Sequence, residues 1–108
     1  MQADFVQDGT AVDYTPAGDV AAGDVVVQGD LVGITKRDIA AGQLGALAVQ
    51  GVFDVVKEAG VTIAAGAKVY WDATNSFAVT TASGNKLMGK CVLAAASAET
   101  SVRVRLNQ

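Results

Sequence analysis

The stretch VAAGDVVV at residues 20–27 decides the fold class, because the chain repeats its opening twice, as IAAG at 39–42 and at 63–66. In each copy a β-branched residue leads into Ala-Ala-Gly, whose glycine can adopt the positive φ that a tight turn requires. Residues suited to strands follow each glycine, at 24–27, 46–49 and 68–71. The sequence predicts a small all-β domain of short strands and tight glycine turns, with a β-barrel or β-sandwich-like form.

Alternation of apolar and polar residues extends this prediction along the chain. One face of the segment 45–56 is apolar, with a bulge or bend at Gly51. Val69 and Trp71 are expected to point inward, and a turn at 73–76 then leads into a strand at 77–81. Further strands are predicted at 86–93, followed by a loop, and at 101–106. The inward residues of 45–56 are Leu47, Val49, Phe53 and Val55, and those of the last strand are Val102, Val104 and Leu106.

The length of 108 residues corresponds to one domain. Residues 1–19 are predicted to form an N-terminal arm with a short strand at 11–15, and residues 20–108 a single β domain. The apolar content of 51% is dominated by Ala and Val and includes only six aromatic residues, so the core is expected to be thin and to favour association with neighbours. The N-terminus lacks a secretory signal pattern, which favours synthesis in a cytoplasm.

Charge is distributed unevenly along the chain. Residues 1–35 contain six acidic side chains and no basic one, whereas residues from 61 onward contain five basic side chains and two acidic ones. The two regions could meet within one subunit or between subunits of a ring, although a solvated surface is the simpler interpretation. The acidic side chains are Asp4, Asp8, Asp13, Asp19, Asp24 and Asp30, and the basic ones are Lys68, Lys86, Lys90, Arg103 and Arg105.

The segment GNKLMGKC at 84–91 matches the phosphate-binding loop G-x-x-x-x-G-K-[ST] except at its last position. Cys91 replaces the hydroxyl that binds Mg²⁺, and a thiol is a poor ligand for that hard ion. A glycine-opened hairpin strand explains the same residues, with Leu87, Cys91 and Leu93 on one face and Lys86 and Lys90 on the other. The sequence therefore favours a structural role for this segment over nucleotide binding.

The composition argues against several functional classes. The chain has no histidine and a single cysteine, so the usual general base and an activated Cys-His dyad are both missing. The N-terminal aspartates lack the spacing of a calcium loop. An acidic chain with few exposed aromatic residues is a poor nucleic-acid binder, and no apolar run is long enough to span a membrane. We therefore predict neither an enzyme nor a cofactor or metal site.

The order of segments resembles the small capsid cement, or decoration, proteins of tailed bacteriophages and prophages, whose members often carry the label of a predicted recombinase. The resemblance runs nearly end to end but consists of turn and core signatures. A recombinase would need a complete phosphate loop in a much larger α/β domain. The matching segments are 5–9, 22–26, 29–33, 38–42, 51–53 with Lys57, 66–72, 89–90 and 102–106.

This resemblance implies a small β-barrel-like body that assembles as a trimer on the outer surface of the phage head and binds the major capsid protein. It also implies a virion location after synthesis in the host bacterium, and no catalytic activity. Acidic N-terminal segments would lie near Arg103 and Arg105 of a neighbour. The candidate capsid or subunit contacts are Phe5 and Val6 as apolar anchors of the arm, Tyr14, Tyr70, Arg103 and Arg105.

Two alternatives remain open from sequence alone. A small β domain of a fibre or adhesin could bind a ligand or glycan, and such a site should expose several aromatic residues in a cleft. Nucleotide binding through the segment 84–91 ranks third. A measurement of oligomeric size separates a monomeric ligand-binding domain from a preassembled ring.

Overall fold

The computed structural model describes residues 2–7 and 9–108 of the chain, and within these residues it contains nine β-strands and no helix. The predicted all-β class is therefore confirmed. The strands are β1 (Ala11–Tyr14), β2 (Val25–Gln28), β3 (Leu31–Thr35), β4 (Gly45–Ala48), β5 (Gly51–Val56), β6 (Lys68–Asp72), β7 (Phe77–Val79), β8 (Lys86–Leu93) and β9 (Ser101–Leu106).

The strands form two antiparallel sheets. Sheet 1 has the order β1-β4-β3-β2, and sheet 2 has the order β5-β9-β8-β6-β7. Neither sheet closes on itself, and in the described part of the chain the two ends of sheet 2 meet at a single bridge between Lys57 and Ala78. The molecule is therefore β-sandwich-like, without the closed barrel that the sequence also allowed.

The three Ala-Ala-Gly segments form the same turn. In each, the amide of the residue after glycine donates to the carbonyl of the first alanine, with N–O distances of 3.2, 3.0 and 3.1 Å. Their glycines, Gly23, Gly42 and Gly66, have φ values of 86°, 76° and 86°. A positive φ at the third position defines a type II turn, which explains why glycine stands there. The turn prediction from the repeated sequence is confirmed.

The β-branched residue before each of these turns forms a β-bridge to another segment of the chain. Val20 and Ile39 form an antiparallel bridge with two N–O distances of 2.9 Å, so the first two turns lie side by side. Ile63 forms the equivalent bridge with Ala95, whose following segment also turns, with the Glu99 amide donating to the Ala96 carbonyl at 3.0 Å. The repeated motif is therefore a bridge, a turn and then a strand.

The two sheets repeat one arrangement of strands. In chain order β1, β2, β3 and β4 correspond to β5, β6, β8 and β9, and both sets occur in the same spatial order, with β7 added at the end of sheet 2. Individual residues also correspond. Gly23 donates to the Thr35 carbonyl and Thr35 to Asp24, just as Gly66 donates to Cys91 and Cys91 to Ala67. The chain is thus an internal duplication of a four-stranded unit.

The main core lies between the sheets and is built mostly by sheet 2. Val32 and Ile34 of β3 pack into a cluster with Trp71, Met88 and other residues of sheet 2. The side chain of Gln108 reinforces this contact, since its amide donates to the Val32 carbonyl and its oxygen accepts from the Val32 amide, at 2.5 and 2.6 Å. The two sheets are therefore one packed unit.

Strand alternation is confirmed for most predicted inward residues. Val69 and Trp71 are buried, as are Val102, Val104 and Leu106 of β9, whereas Arg103 and Arg105 are exposed. In the segment 45–56, Leu47 and Val55 are buried and Val49 and Phe53 half-buried. Gly51, with a φ of 123°, begins β5 where the chain passes from sheet 1 to sheet 2, so the predicted bend is also confirmed.

The prediction for β8 is right for Cys91 and wrong for its neighbours. Cys91 is 1% exposed, but Leu93 is 57% exposed and Leu87 is only half-buried. Met88 has no partner in the pairing of β8 with β6, and Val92 has none in the pairing of β8 with β9. The alternation of inward and outward side chains along β8 therefore shifts on both sides of Cys91. As a result Met88 enters the core in place of Leu87.

Candidate interaction surface

The outer face of sheet 2 carries a row of cations. The register pairs Lys68 of β6 with Lys90 of β8, and Lys90 with Arg105 of β9. All three residues are exposed, and paired residues of neighbouring strands lie on the same face of a sheet. The structure shows ion pairs for Lys86 and Arg103 but none for these three within residues 2–7 and 9–108. We call Lys68, Lys90 and Arg105 the cation row.

Beside the cation row, Arg103 has an acidic partner. Arg103 of β9 pairs in register with Asp54 of β5, and its Nε donates to Asp54 Oδ1 at 2.9 Å. This hydrogen bond and the adjacent charge raise the pKa of Arg103, and the hydrogen bond lowers the pKa of Asp54. The two arginines that the sequence proposed as contacts therefore differ, since Arg103 has an internal partner and Arg105 belongs to the cation row.

Apolar side chains border the cations on the same face. Val52 pairs with Arg105, Val56 pairs with Ser101, and Leu93 pairs with Arg103. Val52, Val56 and Leu93 are 56%, 52% and 57% exposed. A mixture of uncompensated charge and exposed aliphatic surface is typical of a protein contact surface rather than of a catalytic cleft.

The N-terminal arm provides the most exposed large apolar side chains. Phe5 is 84% and Val6 85% exposed. Tyr14 is half-buried at the end of β1, where it pairs with Gly45. Because β1 forms the edge of sheet 1, the structure does not bring these residues together with the arginines of sheet 2.

Tyr70 lies on sheet 2 but is a weaker candidate than the sequence suggested. It is half-buried and pairs with Val79 on one side and Leu87 on the other. It follows Lys68 by two residues and so lies on the outer side of β6. Of the six candidate residues, Tyr70, Arg103 and Arg105 therefore share a sheet, and Phe5, Val6 and Tyr14 form a separate group.

The phosphate-loop-like segment is an ordinary hairpin strand. Gly84 lies in a turn with a φ of 76°, and residues 86–93 are extended as β8. Lys86 pairs with Asp30 at 2.7 Å, and the Cys91 Sγ lies 3.0 Å from the Leu93 carbonyl oxygen. An extended strand cannot wrap its amides around a phosphate, so this geometry favours the structural interpretation of 84–91.

The aspartates beside the first two turns have structural roles. Asp19 Oδ1 accepts from the Ala41 amide, and Asp38 Oδ1 accepts from the Ala22 amide, both at 2.8 Å. Asp24 accepts from the Ala21 amide at 2.9 Å. Among the described residues, no group of three or more carboxylates or thiolates is arranged to hold a metal ion.

The aromatic residues do not form an exposed binding cleft in the part of the chain described. A cavity of about 570 Å³ lies between β2 and β5, and Phe53 and Trp71 contribute to its lining. However, Trp71 is 7% exposed and serves the core, while Phe53 is half-buried. Phe5, the one fully exposed aromatic residue described, lies on the arm, so nothing here favours a glycan site.

Sequence reasoning missed Lys68 and Lys90 as contact candidates, although it placed Lys68 outward. Alternation alone could indicate which side of a strand each residue takes. It could not reveal that both lysines align with Arg105, because that alignment depends on the register of three strands and on the extra residues in β8.

The exposed charged and apolar face of sheet 2 is typical of proteins that bind other proteins. The model of the phage cement protein family matches residues 6–106, and the chain therefore belongs to that family. Its role is that of a capsid cement, or decoration, protein. Neither a curated protein nor a solved structure matches the chain significantly. In the residues described, the structure contains no helix able to cross a membrane.

Proposed function

We propose that this cement protein binds the outer surface of the mature phage head as a homotrimer, through the major capsid protein, and has no enzymatic activity. The family match over residues 6–106 carries this proposal. Many symmetric, individually weak contacts can stabilise a shell without a catalytic group, because each bound protein stabilises only the assembled form.

A homotrimer is supported by the surface of the single chain. The described chain leaves Val52, Val56, Leu93 and the arm residues Phe5 and Val6 exposed. Contact with a second copy would remove this apolar surface from water. We further propose that residues 1–19 act as an arm and residues 20–108 as the β body, although β1 of the arm is paired with β4.

The binding test compares two shells. Purified protein is mixed with undecorated mature capsids and with precursor shells, both are sedimented, and the bound protein and the temperature of shell disruption are measured. A rigid trimer needs three capsid sites at one separation, so we expect binding to the mature shell and not to the precursor. Equal binding to both shells would refute the spacing argument, and no binding to the capsid of its own phage would refute the proposed function.

The contribution of the arm is tested without removing a strand. Deleting residues 2–14 would also remove β1, so Phe5→Ser with Val6→Ser is the cleaner change. We expect this variant to occupy fewer capsid sites, because the arm contacts either the capsid or a neighbouring subunit. Leu44→Ser is the matched control, since Leu44 is 71% exposed but lies outside the arm and sheet 2. An equal loss in both variants would remove the arm from the contact surface.

A further inference from the structure

We propose that the cation row of Lys68, Lys90 and Arg105 binds the acidic N-terminal segment, residues 2–14, of a second copy of this chain. The inference rests on the homo-oligomer proposed above and assigns it a contact. It differs from the sequence-based expectation, which placed the segment near both Arg103 and Arg105.

The cation row is unfavourable in the single chain. Lys68 lies opposite Lys90, and Lys90 lies opposite Arg105, so three positive charges line up across three neighbouring strands. Like charges directly opposite one another destabilise a sheet. Within the described residues no carboxylate forms an ion pair with them, in contrast to Arg103, which has Asp54. An acidic partner would turn this repulsion into attraction.

The chain itself contains a segment of the required charge. Residues 2–14 include three aspartates, Asp4, Asp8 and Asp13, and no basic residue. Later aspartates are already engaged, since Asp19 and Asp24 accept from backbone amides and Asp30 pairs with Lys86. Of the described aspartates in residues 1–35, Asp4 and Asp13 take part in no such contact, and both belong to the segment 2–14.

Apolar side chains match on the two surfaces. The acidic segment exposes Phe5 and Val6 almost completely, and Val52 and Leu93 are exposed beside the cation row. Contact between these pairs would bury aliphatic and aromatic surface next to the charge pairs, and this combination favours a specific interface over diffuse attraction.

The occupant is a second copy rather than the same chain because the described part of the segment makes no ion pair with the cation row in the single chain. Phe5 and Val6 are 84% and 85% exposed, and among the described residues neither Asp4 nor Asp13 forms an ion pair with the row. The segment leads into β1 of sheet 1, whereas the cation row lies on sheet 2.

The test reverses charge on each surface of the full-length chain. Lys90→Glu with Arg105→Glu should weaken self-association by about tenfold or more, measured by light scattering over a dilution series. Asp4→Lys with Asp13→Lys should do the same. Mixing the two variants should restore association between unlike chains, and a ring of three can hold two such contacts. The matched control is Lys36→Glu with Arg37→Glu, which makes the same charge change beside the acidic segment rather than on the cation row and should therefore not weaken self-association.

The outcomes separate this inference from the proposed function. Row variants that associate like the wild type, or reversed variants that fail to associate when mixed, would overturn the docking. A monomeric wild type would overturn the oligomer and this inference, whatever the capsid assay shows. Loss of capsid binding with intact self-association would assign the cation row to an acidic capsid surface instead. The melting temperature of the row variant serves as the folding check and should change little, because the two new carboxylates again lie opposite each other while one of them now lies opposite Lys68.

Discussion

The two halves of the chain have the same backbone arrangement and different side chains. Both follow the order bridge, turn, strand, and both place their strands in one spatial sequence. The half around sheet 1 has acidic loops, whose Asp19 and Asp38 accept from turn amides. It contributes Val32 and Ile34 to the main core, with Val25 and Val27 packed against it. The half around sheet 2 has the larger core and the cation row. The turns thus determine the backbone arrangement that both halves share, whereas the side chains of the strands differ between the halves.

The largest difference between the halves is expected at two corresponding glycines, Gly33 of β3 and Gly89 of β8. A methyl group added at Gly89 would lie 1.8 Å from the Arg105 carbonyl oxygen, whereas one at Gly33 would lie 2.3 Å from Leu47 Cγ. The backbone of β9 cannot move aside, whereas the fully buried Leu47 side chain can shift slightly within the core. Gly89→Ala should therefore cost about 4 kcal/mol or more or prevent folding, and Gly33→Ala about 1–3 kcal/mol, in urea unfolding.

The control for both variants is Gly18→Ala, because no atom lies within 4 Å of the position its methyl group would take. Its free energy of unfolding should change by less than about 0.5 kcal/mol. A Gly89→Ala protein as stable as the Gly33→Ala protein would show that the close approach of β8 and β9 is not required by the fold.

A smaller difference is expected at Thr35 and Cys91, which occupy corresponding positions. The Thr35 hydroxyl donates to the Ala21 carbonyl at 2.7 Å and lies 3.1 Å from the Asp24 amide, so Thr35→Val removes both contacts and leaves these two backbone groups only their mutual hydrogen bond of 3.2 Å. This should cost about 1–2 kcal/mol. Cys91→Ser places a hydroxyl in an apolar layer and should cost about 1–3 kcal/mol. Urea unfolding measures both.

Thiol labelling tests the Cys91 environment independently. Because Cys91 is 1% exposed, it should react with thiol reagents far more slowly in the native protein than in denaturant. Native labelling at the denatured rate would contradict its inward placement. Thr35→Ser, which keeps the hydroxyl, is the control for Thr35→Val and should retain most of the stability that the valine variant loses.

The smallest expected effect is a loss of stability in acid. Hydrogen bonds from Lys86, Arg103 and Asn75 lower the pKa of Asp30, Asp54 and Asp72, respectively, below the ordinary value of 3.8. The stabilisation is therefore present above about pH 4 and is lost as pH falls through the lowered values. Asp54 and Asp72 belong to sheet 2, and Asp30 connects the β2–β3 turn to β8.

Melting temperatures measured from about pH 6 to about pH 2.5 should show this decline, and Asp54→Asn should reduce it slightly. Asp4→Asn is the control, since Asp4 lies on the exposed arm. An Asp54→Asn protein with the same acid sensitivity as the wild type would show that the Arg103 contact contributes nothing measurable in solution.

Local patterns predicted the parts of this molecule that depend on neighbours in sequence. The three turns follow from glycine conformation, the hairpin around residues 73–76 from its polar turn residues, and the alternation of β9 from the period of a strand. The positions of Leu87 and Leu93 could not be predicted, because the skipped residues in β8 arise from pairing with two other strands. The alignment of Lys68, Lys90 and Arg105 could not be predicted for the same reason. The repeated turns were visible in the sequence, but the repeated strand order could be recognised only from the complete sheets.

The contact of Val32 and Ile34 with sheet 2 makes the stability of the core independent of protein concentration. A chain consisting of one half alone would expose these faces and could cover them only by binding a second molecule, at a strength that falls with concentration. Joining two halves in one chain makes that encounter intramolecular, with an effective concentration that solvent volume does not change. Each subunit therefore keeps its core when particles disperse, and only its contacts with other molecules depend on how many are nearby.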